Sequence, residues 1–586
     1  MTGMTAFEKI GQLPDDIVSE YLEWFESCTI FDLPKRRNAF VRFMTGGWGV
    51  AILCMVVSLG VLSGIIWAGH HPPAVTEVPT EDVSEPTPET DELIPEETES
   101  EQESEIESEE STEAETKQEH FAGSYDFLVY ESNGDGTCSV RCIKENYEID
   151  RYVNIETIVI PERSPDGDVV TAVADRGFYG CDVLFLQLPQ TLVSIGNEAF
   201  YGCDSLMSIN IPTGVTYLGE AAFADSHIPM IELPPDITVL KARTFMDCSV
   251  LSQVTLPEGL LEMEDEVFAE CDKLESIVIP EGVTQIPYRA FYDCDKLESV
   301  SLPKGLTVVA DEAFYSCGHL NTTLPEGLTY VGLAAFSCCG FESLTIPGSL
   351  TVVSRNAFSF CTPLERLVIS DGVTSIGEAA FRDCRALKEI KIADSVTELG
   401  DEAFLWCDGL KSIVLPENLQ KIGAYCFSHV RFMPTLIIPD TVTEIGAYAF
   451  YGCTRLEYIK LSKQLSVLRE GAFSCCPNLT TMVIPEGVTV IERDTFRTCR
   501  SLKKLVLPST LQSIEAYAFH QCESLDDLRL PQSLTFIGEY VFQLCNELTN
   551  VYFDGTAESW ETVTMRKTGN EAFLNATIHF EDKLVD

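Results

Sequence analysis

The sequence is poor in positive charge. Only 39 Lys and Arg residues stand against 92 Asp and Glu residues, which gives a formal net charge of -53 at pH 7. A surface of this sign repels the phosphates of nucleic acids and the headgroups of anionic lipids. The composition therefore argues against a nucleic-acid-binding protein, and we expect no nucleic-acid partner.

Histidine is also scarce, and the motifs of common enzymes are missing. The eight His residues form no His-x-x-x-His pair, and none joins a Cys pair at zinc-binding spacing. The chain has neither a Gly-rich phosphate loop nor a Gly-x-Ser-x-Gly nucleophile motif. We therefore expect no cofactor, no metal and no enzymatic activity, although a catalytic site assembled across repeats stays open.

One segment lacks charge altogether. Residues 44–68 contain no charged side chain, and about 20 apolar residues suffice to cross a bilayer as a helix. Trp48 and Trp67 lie near its two ends, where aromatic rings prefer the membrane interface. Because bases precede the segment and acids follow it, the positive-inside rule predicts a single-pass membrane protein with a cytoplasmic N-terminus. The alternative is a signal peptide, whose apolar core would be shorter.

The leader, residues 1–43, contains one predicted amphipathic helix. Pro14 is followed by two Asp residues, which is a helix-start signal, and four apolar residues then share one helical face. These residues are Ile17, Tyr21, Trp24 and Phe25. The helix either lies on the inner leaflet or docks a cytoplasmic regulator.

The segment after the apolar stretch, residues 69–119, has no aromatic residue and carries 19 acids against 1 base. Such a segment cannot bury enough apolar surface to offset the entropy lost on ordering. It therefore predicts an acidic, disordered linker that holds the rest of the chain away from the membrane.

The remainder of the chain is a repeat in which Phe recurs every 22 or 23 residues. Each Phe has an aliphatic residue or Met five positions before it and Val, Leu or Ile eight before it, and 15 of the 17 have Cys three positions after it. The 17 residues are Phe178, Phe200, Phe223, Phe245, Phe268, Phe291, Phe314, Phe336, Phe358, Phe381, Phe404, Phe427, Phe450, Phe473, Phe496, Phe519 and Phe542. One unit has no core of its own, so only a stacked array can bury these positions.

A single unit shows how the chain folds locally. Leu274, Ile277 and Ile279 alternate with exposed positions, which predicts a half-buried strand. A turn follows, and 287–291 predicts one or two helical turns. The position four before Phe is Gly in 8 units but Pro287 here, so we interpret Gly there as permissive rather than as a requirement for positive φ. The predicted fold class is a leucine-rich-repeat solenoid of mixed α/β type, with parallel strands and about 17 repeats.

The pattern Leu-x-x-Ile-x-Ile-Pro-x-x-Val-Thr-x-Ile-Gly-x-x-Ala-Phe-x-x-Cys resembles the BspA-like, treponemal-type leucine-rich repeat family. The resemblance covers the repeats, 165–554. Residues 120–164 resemble the family's N-terminal cap, with a hairpin at 133–136, and residues 555–586 resemble its C-terminal cap, with a helix near Trp560 and a last strand at 577–580. The resemblance implies a surface-exposed protein, often an adhesin that binds host or matrix macromolecules. The N-terminal anchor departs from family members that are held by a C-terminal signal.

Most of the 22 Cys residues occupy one repeat position. Neighbouring repeats would bring their Cα atoms to about 5 Å, which a disulfide tolerates. Side chains stacked in parallel point the same way, however, which opposes the dihedral angle that a disulfide requires. We expect buried free thiols, with disulfides between neighbouring repeats as the alternative.

Charge is distributed unevenly along the strand side of the repeats. The strand side of each unit is the window between its repeat Cys position and the following Pro position. The windows within 182–347 together hold 2 bases and 8 acids, a net charge of -6. The windows within 362–554 together hold 12 bases and 9 acids, a net charge of +3. We predict that outward strand residues in the second half bind a ligand. They are Arg366, Lys391, Tyr458, Lys460, Lys504, Arg529 and Tyr552. Ordinary solvated charge is the alternative interpretation.

Two functions remain open from the sequence. The first is a membrane-anchored cell-surface adhesin or macromolecule-binding module, whose partner is an extracellular protein or an anionic glycan. The second is a membrane-anchored sensor whose leader signals to an intracellular partner. In both, the membrane is reached through one transmembrane helix and the repeats are extracellular.

Overall fold

The computed structural model describes residues 127–143 and 157–580, which form a solenoid of about 18 turns built from parallel strands. The predicted leader (1–43), transmembrane helix (44–68) and linker (69–119) lie outside the described residues. In the part of the chain that the structure describes, no helix is long and apolar enough to span a bilayer.

The described chain opens with an antiparallel hairpin of strands β1 (Leu128–Ser132) and β2 (Thr137–Cys142), with its turn at 133–136 as predicted. Most later turns contribute a first strand and a second strand, and the second strand is usually the shorter one. The first strands are β3 (Thr157–Val159), β5 (Phe185–Gln187), β7 (Ser208–Asn210), β9 (Met230–Glu232), β11 (Gln253–Thr255), β13 (Ser276–Val278), β15 (Ser299–Ser301), β18 (Ser343–Ile346), β20 (Arg366–Ile369), β22 (Glu389–Ile392), β25 (Thr435–Ile437), β27 (Tyr458–Lys460), β29 (Thr481–Val483), β31 (Lys504–Val506), β33 (Asp527–Leu530), β35 (Asn550–Phe553) and β37 (Thr577–Phe580).

The second strands lie on another side of the solenoid. They are β4 (Val169–Val173), β6 (Ser194–Ile195), β8 (Tyr217–Leu218), β10 (Val239–Leu240), β12 (Glu262–Met263), β14 (Gln285–Ile286), β16 (Val308–Val309), β17 (Tyr330–Val331), β19 (Val352–Val353), β21 (Ser375–Ile376), β23 (Glu398–Leu399), β24 (Lys421–Ile422), β26 (Glu444–Ile445), β28 (Val467–Leu468), β30 (Val490–Ile491), β32 (Ser513–Ile514), β34 (Phe536–Ile537) and β36 (Thr564–Met565). Two short helices, α1 (Ala557–Trp560) and α2 (Glu571–Asn575), complete the described elements.

The core is a ladder of stacked side chains that runs through the solenoid. Phe291 is fully buried, and its ring centroid lies 5.4 Å from that of Phe268 and 5.1 Å from that of Phe314. The rings are nearly parallel, with interplanar angles of 13° and 2°. Ile277 on β13 is 3% exposed, while its neighbours on the strand point outward. Every turn therefore buries its apolar residues against the next turn, as the repeat predicts.

The segment around each Phe is not helical, so the mixed α/β prediction is wrong for the repeats. The Phe291 N–H donates to the Ala313 carbonyl of the next turn at 2.8 Å, whereas the Tyr292 N–H donates to Arg289 within its own turn at 3.1 Å. Arg289 and Asp293, two residues before and after Phe291, have φ of 51° and 56°. An α-helix needs negative φ at every residue and bonds each N–H within the segment, so this alternation excludes it.

The left-handed conformation recurs in every Phe segment. Of the residues that the structure describes, 30 other than Gly have positive φ, and all of them stand two positions before or after a repeat Phe. Non-glycine residues in this region cost about 1–2 kcal/mol each. The hydrogen bonds to the neighbouring turns offset this cost, since alternate N–H groups can reach the next turn only in this backbone form.

The Gly four positions before Phe does not have positive φ, as predicted, but where it occurs it is closely packed against the preceding turn. A Cβ atom at Gly196 would lie 2.6 Å from the Asp175 nitrogen, and one at Gly538 would lie 2.6 Å from the Ala516 nitrogen. Neither Gly has positive φ. Gly is therefore needed in these turns because the backbone of the preceding turn approaches so closely, not because of a special backbone conformation.

The repeat Cys residues hydrogen-bond to the neighbouring turn. The Cys294 thiol donates to the Phe268 carbonyl at 3.1 Å, and the Cys317 thiol donates to Phe291 at 3.0 Å. Fourteen repeat Cys residues, from Cys203 to Cys545, make this bond at 3.0 to 3.4 Å. A thiol is a small apolar group with a weak donor, so it fills the core and also gives the Phe carbonyl a partner. That the thiols are reduced stays a prediction.

The face formed by the first strands is interrupted at several places, and at two of them a Pro precedes the strand. In a regular turn the residue before the strand donates to the previous turn, as Glu298 does to the Glu275 carbonyl at 2.9 Å. Pro229 and Pro434 occupy this position before β9 and β25, and Pro has no N–H to donate. Accordingly, β7 and β9 belong to different sheets, and 411–415 has no assigned strand.

The C-terminal end contains one turn more than the 17 predicted. Phe573 on α2 stacks on Phe542 at 4.9 Å, but α1 is inserted before it and lengthens the spacing. Asn570 is fully buried beside it. Its Oδ1 accepts the Phe542 N–H at 3.0 Å, and its Nδ2 donates to the Gly538 carbonyl at 2.8 Å. The Asn side chain thus replaces the backbone acceptor that a further regular turn would supply.

Removing one ring from the ladder should leave a cavity that the stacked neighbours cannot fill. We expect Phe291→Ala to lower the free energy of unfolding by about 3–5 kcal/mol. The measurement is urea unfolding followed by circular dichroism. Val278→Ala in the same turn is the control, because Val278 is 69% exposed and its loss should cost less than about 0.5 kcal/mol. Equal stability of the Phe291 variant and the parent would show that the ring is not part of the core.

The buried thiols make stability sensitive to alkali. Burial raises the pKa of Cys248 and of Cys361 to about 12. In the unfolded chain the pKa of a thiol is about 8.5. Because the folded pKa is the higher one, the stabilising contribution is complete below about pH 8 and is lost as the pH rises from about 8.5 towards 12. We expect the loss to be about 1.4 kcal/mol per pH unit for each buried thiol.

Urea midpoints measured between pH 7 and 9.5 under reducing conditions test this dependence. Replacing Cys248 by Ala should make the urea midpoint fall less steeply with pH, because one buried thiol fewer contributes to the fall. Midpoints that stay constant over the whole range would contradict buried, protonated thiols.

Candidate binding surface on the strand face

All seven residues predicted to bind a ligand lie on first strands and point away from the core. Two outward positions on each first strand form two rows that run from turn to turn. Arg366, Tyr458 and Lys504 lie in the first row. Lys391, Lys460, Arg529 and Tyr552 lie in the second row.

The structure places these residues on three different sheets. Arg366 and Lys391 belong to the sheet β18–β20–β22. Tyr458, Lys460 and Lys504 belong to the sheet β25–β27–β29–β31, and the remaining two belong to β33–β35–β37. Each group is therefore joined within its own sheet, and the middle sheet holds the largest group, three of the seven residues.

The two predicted residues nearest the C-terminus already have partners. The Arg529 guanidinium lies 2.7 Å from the Asp554 carboxylate. Tyr552 is half-buried, and its ring stacks on that of His579 with 4.8 Å between the centroids. Because their charge and ring surface are engaged within the chain, these two residues are weaker candidates for ligand contact than the middle group.

The middle sheet carries eight outward side chains that we call the central patch. Its first row is Thr435, Tyr458, Thr481 and Lys504, and its second row is Ile437, Lys460, Val483 and Val506. None of the eight is acidic, although the chain has more than twice as many acids as bases. The patch is therefore positive in a protein whose net charge is strongly negative.

The two lysines of the central patch are free to meet a partner. In the described part of the chain, neither Lys460 nor Lys504 forms an ion pair or a side-chain hydrogen bond, and both are exposed. On the opposite, Phe-containing side, cations are paired between turns: Arg289 lies 2.6 Å from Glu312.

The positive charge of Lys460 also acts on a carboxylate outside the patch, that of Asp440. Lys463, which lies 3.1 Å from Asp440, lowers the pKa of that carboxyl, and Lys460 adds to the effect. Asp440 lies outside the two rows of the patch and already has Lys463 as its ion-pair partner. Asp440 therefore lies within the field of Lys460, although its ion-pair partner is Lys463.

The central patch is also apolar, which the sequence reasoning missed. Ile437, Val483 and Val506 are 62%, 55% and 53% exposed. Val414, in the turn just before the sheet, is 84% exposed. The signal in the sequence is the β-branched aliphatic residue at the second outward position of three of the patch's four strands.

Among the residues that the structure describes, no group of three or more His, Cys, Asp or Glu side chains is placed to hold a metal ion. The chemistry available in the central patch is that of hydroxyls, ammonium groups and aliphatic surface, which suits binding.

Comparison with known proteins establishes the family. The model of the BspA type leucine rich repeat region matches residues 171–298, 284–411, 397–497 and 467–580. The matches together cover 171–580, so the chain belongs to the BspA-type leucine-rich repeat family. Proteins of this family are generally found at the cell surface, and leucine-rich-repeat solenoids are typically binding modules without enzymatic activity.

The chain is also similar to solved structures of bacterial proteins. A leucine-rich repeat protein from Bacteroides ovatus is 21% identical, with 78% of this chain and 100% of that chain covered and a TM-score of 0.39. A leucine rich cell surface protein from Faecalibacterium prausnitzii is 22% identical, with 75% and 97% covered and a TM-score of 0.29. The pneumococcal vaccine antigen PcpA is 15% identical, with 78% and 98% covered and a TM-score of 0.30. No curated protein matches the chain.

Proposed function

We propose that this protein is a membrane-anchored, cell-surface adhesin or binding module without enzymatic activity, whose strand face binds an acidic macromolecule outside the cell. The observation that carries the proposal is the central patch: eight outward side chains on one sheet with two unpaired lysines and no carboxylate. The partner is an acidic protein surface or an anionic glycan.

In this proposal the positive charge of the central patch attracts the acidic partner. The bulk of the chain repels an acidic partner, so the partner approaches productively only where the local charge is positive. Exposed charges of this kind mainly change the rate of association and its dependence on salt. Arg366 and Lys391, on β20 and β22 further towards the N-terminus, add two more outward cations to the strand face.

Reversing the two central lysines should weaken binding without affecting stability. We expect Lys460→Glu with Lys504→Glu to slow association by about tenfold at low salt, with the difference shrinking as ionic strength rises. The measurement is surface plasmon resonance on the strongest binder from a panel of purified matrix proteins and sulfated glycans. Lys273→Glu with Lys296→Glu is the matched control, since both residues are exposed on the strand side of the first half. Equal losses in the two variants would place the site elsewhere.

The proposed orientation has its own test. With residues 44–68 spanning the membrane, protease added to intact cells should remove the repeats and spare residues 1–43. Antibodies against the leader and against the repeats, used on blots of treated cells, measure this. A digested leader together with protected repeats would show that the orientation is reversed.

A further inference from the structure

The apolar half of the central patch is not required by the fold. In four consecutive earlier turns the second row carries polar side chains, whereas Val159 and Val278 occupy it on β3 and β13. The polar residues are Gln187, Asn210, Glu232 and Thr255 on β5, β7, β9 and β11. These turns stack with the same backbone pairing as β25–β31. The solenoid therefore does not need aliphatic side chains at this position.

The aliphatic side chains of the patch adjoin one another and the free lysines. Ile437 pairs in register with Lys460, and Val483 pairs in register with Val506. Tyr458 and Lys504 lie in the parallel row of the same strands. Since adjacent strands are about 4.8 Å apart, the four strands carry one surface about 14 Å across that contains both apolar and cationic groups.

Such a surface discriminates between the two kinds of acidic partner. An anionic glycan is held by cations and by hydrogen-bond donors, and an Ile or Val side chain supplies neither. Exposed aliphatic surface gains free energy only when another apolar surface covers it, at about 25 cal/mol per Å². Apolar patches ringed by polar groups are typical of protein–protein contact.

We propose that the central patch binds an acidic protein segment in which aliphatic or aromatic side chains stand directly beside carboxylates. This inference rests on the proposed function and narrows its partner from acidic macromolecules to proteins. The carboxylates of the segment pair with Lys460 and Lys504, and its apolar side chains cover Ile437, Val483 and Val506.

Selection from a displayed library of random peptides tests the chemistry of this partner directly. The bait is the full-length chain in detergent, and the peptides that bind it are sequenced and synthesised. We expect peptides enriched in both carboxylates and apolar residues. A selection that yields no binders, or binders rich in carboxylates without apolar residues, overturns the inference.

Three variants then locate the contact by using the synthesised peptides as probes. Ile437→Thr with Val483→Thr and Val506→Thr keeps the β-branched shape but removes apolar surface, and it should weaken peptide binding by about tenfold. The control changes three exposed valines elsewhere, Val159→Thr, Val278→Thr and Val352→Thr, and should leave binding within about twofold of the parent. Unchanged melting temperatures show that all variants are folded.

The third variant, Lys460→Glu with Lys504→Glu, separates this inference from the proposed function. In one outcome the charge reversal abolishes binding to heparin, the threonine variant still binds heparin, and no selected peptide depends on the aliphatic residues. The proposed function, binding of acidic partners, then stands, and the protein-segment inference fails. If neither variant changes binding of any selected peptide or of heparin, both fail.

Discussion

The hydrogen bonds that each Phe segment makes with the next turn set the conditions for the rest of the molecule. They hold the backbone of successive turns close together, which brings the Phe rings to between 4.9 and 5.8 Å of one another along the array. Alternate N–H groups of the segment donate to carbonyls of the next turn. The residues two positions before and after Phe therefore adopt the left-handed conformation, and the segment is not helical. Where the backbones come closest, Gly is required, since a Cβ atom at Gly196 would collide with the turn before it.

The same constraint explains why Cys recurs and how the array ends. A buried Phe carbonyl faces each Cys position, and the thiol satisfies it without introducing a hydroxyl or a charge into the core. At the last turn no further regular segment is present in the described chain to accept the Phe542 N–H. The buried side chain of Asn570 takes over that acceptor role and leaves no unpaired donor at the end of the ladder.

The strand face is free from this constraint, because only every second residue of a first strand enters the core. Its outward rows can change from turn to turn without disturbing the stacking, and they do: the second row carries Gln187 and Asn210 on β5 and β7, but Val483 and Val506 on β29 and β31. Interruption of the sheet by Pro434 marks where this middle sheet begins. A binding surface can therefore vary on a scaffold whose core is nearly invariant between turns.

The sequence by itself determined the repeat, the parallel strands, the buried Phe, Cys and aliphatic positions, and the uneven charge of the strand side, because each depends on periodicity that can be counted along the chain. It did not determine the backbone at Arg289 and Asp293, since helical spacing of apolar residues cannot distinguish an α-helix from alternating right- and left-handed residues. The turn containing Phe573 was missed because the inserted helix α1 breaks the period. Of the seven predicted ligand residues, the structure joins Tyr458, Lys460 and Lys504 on one sheet and pairs Arg529 with Asp554. Only tertiary structure decides this, because neighbours across turns and the exposure of Ile437 or Val483 depend on strand register and sheet breaks rather than on composition.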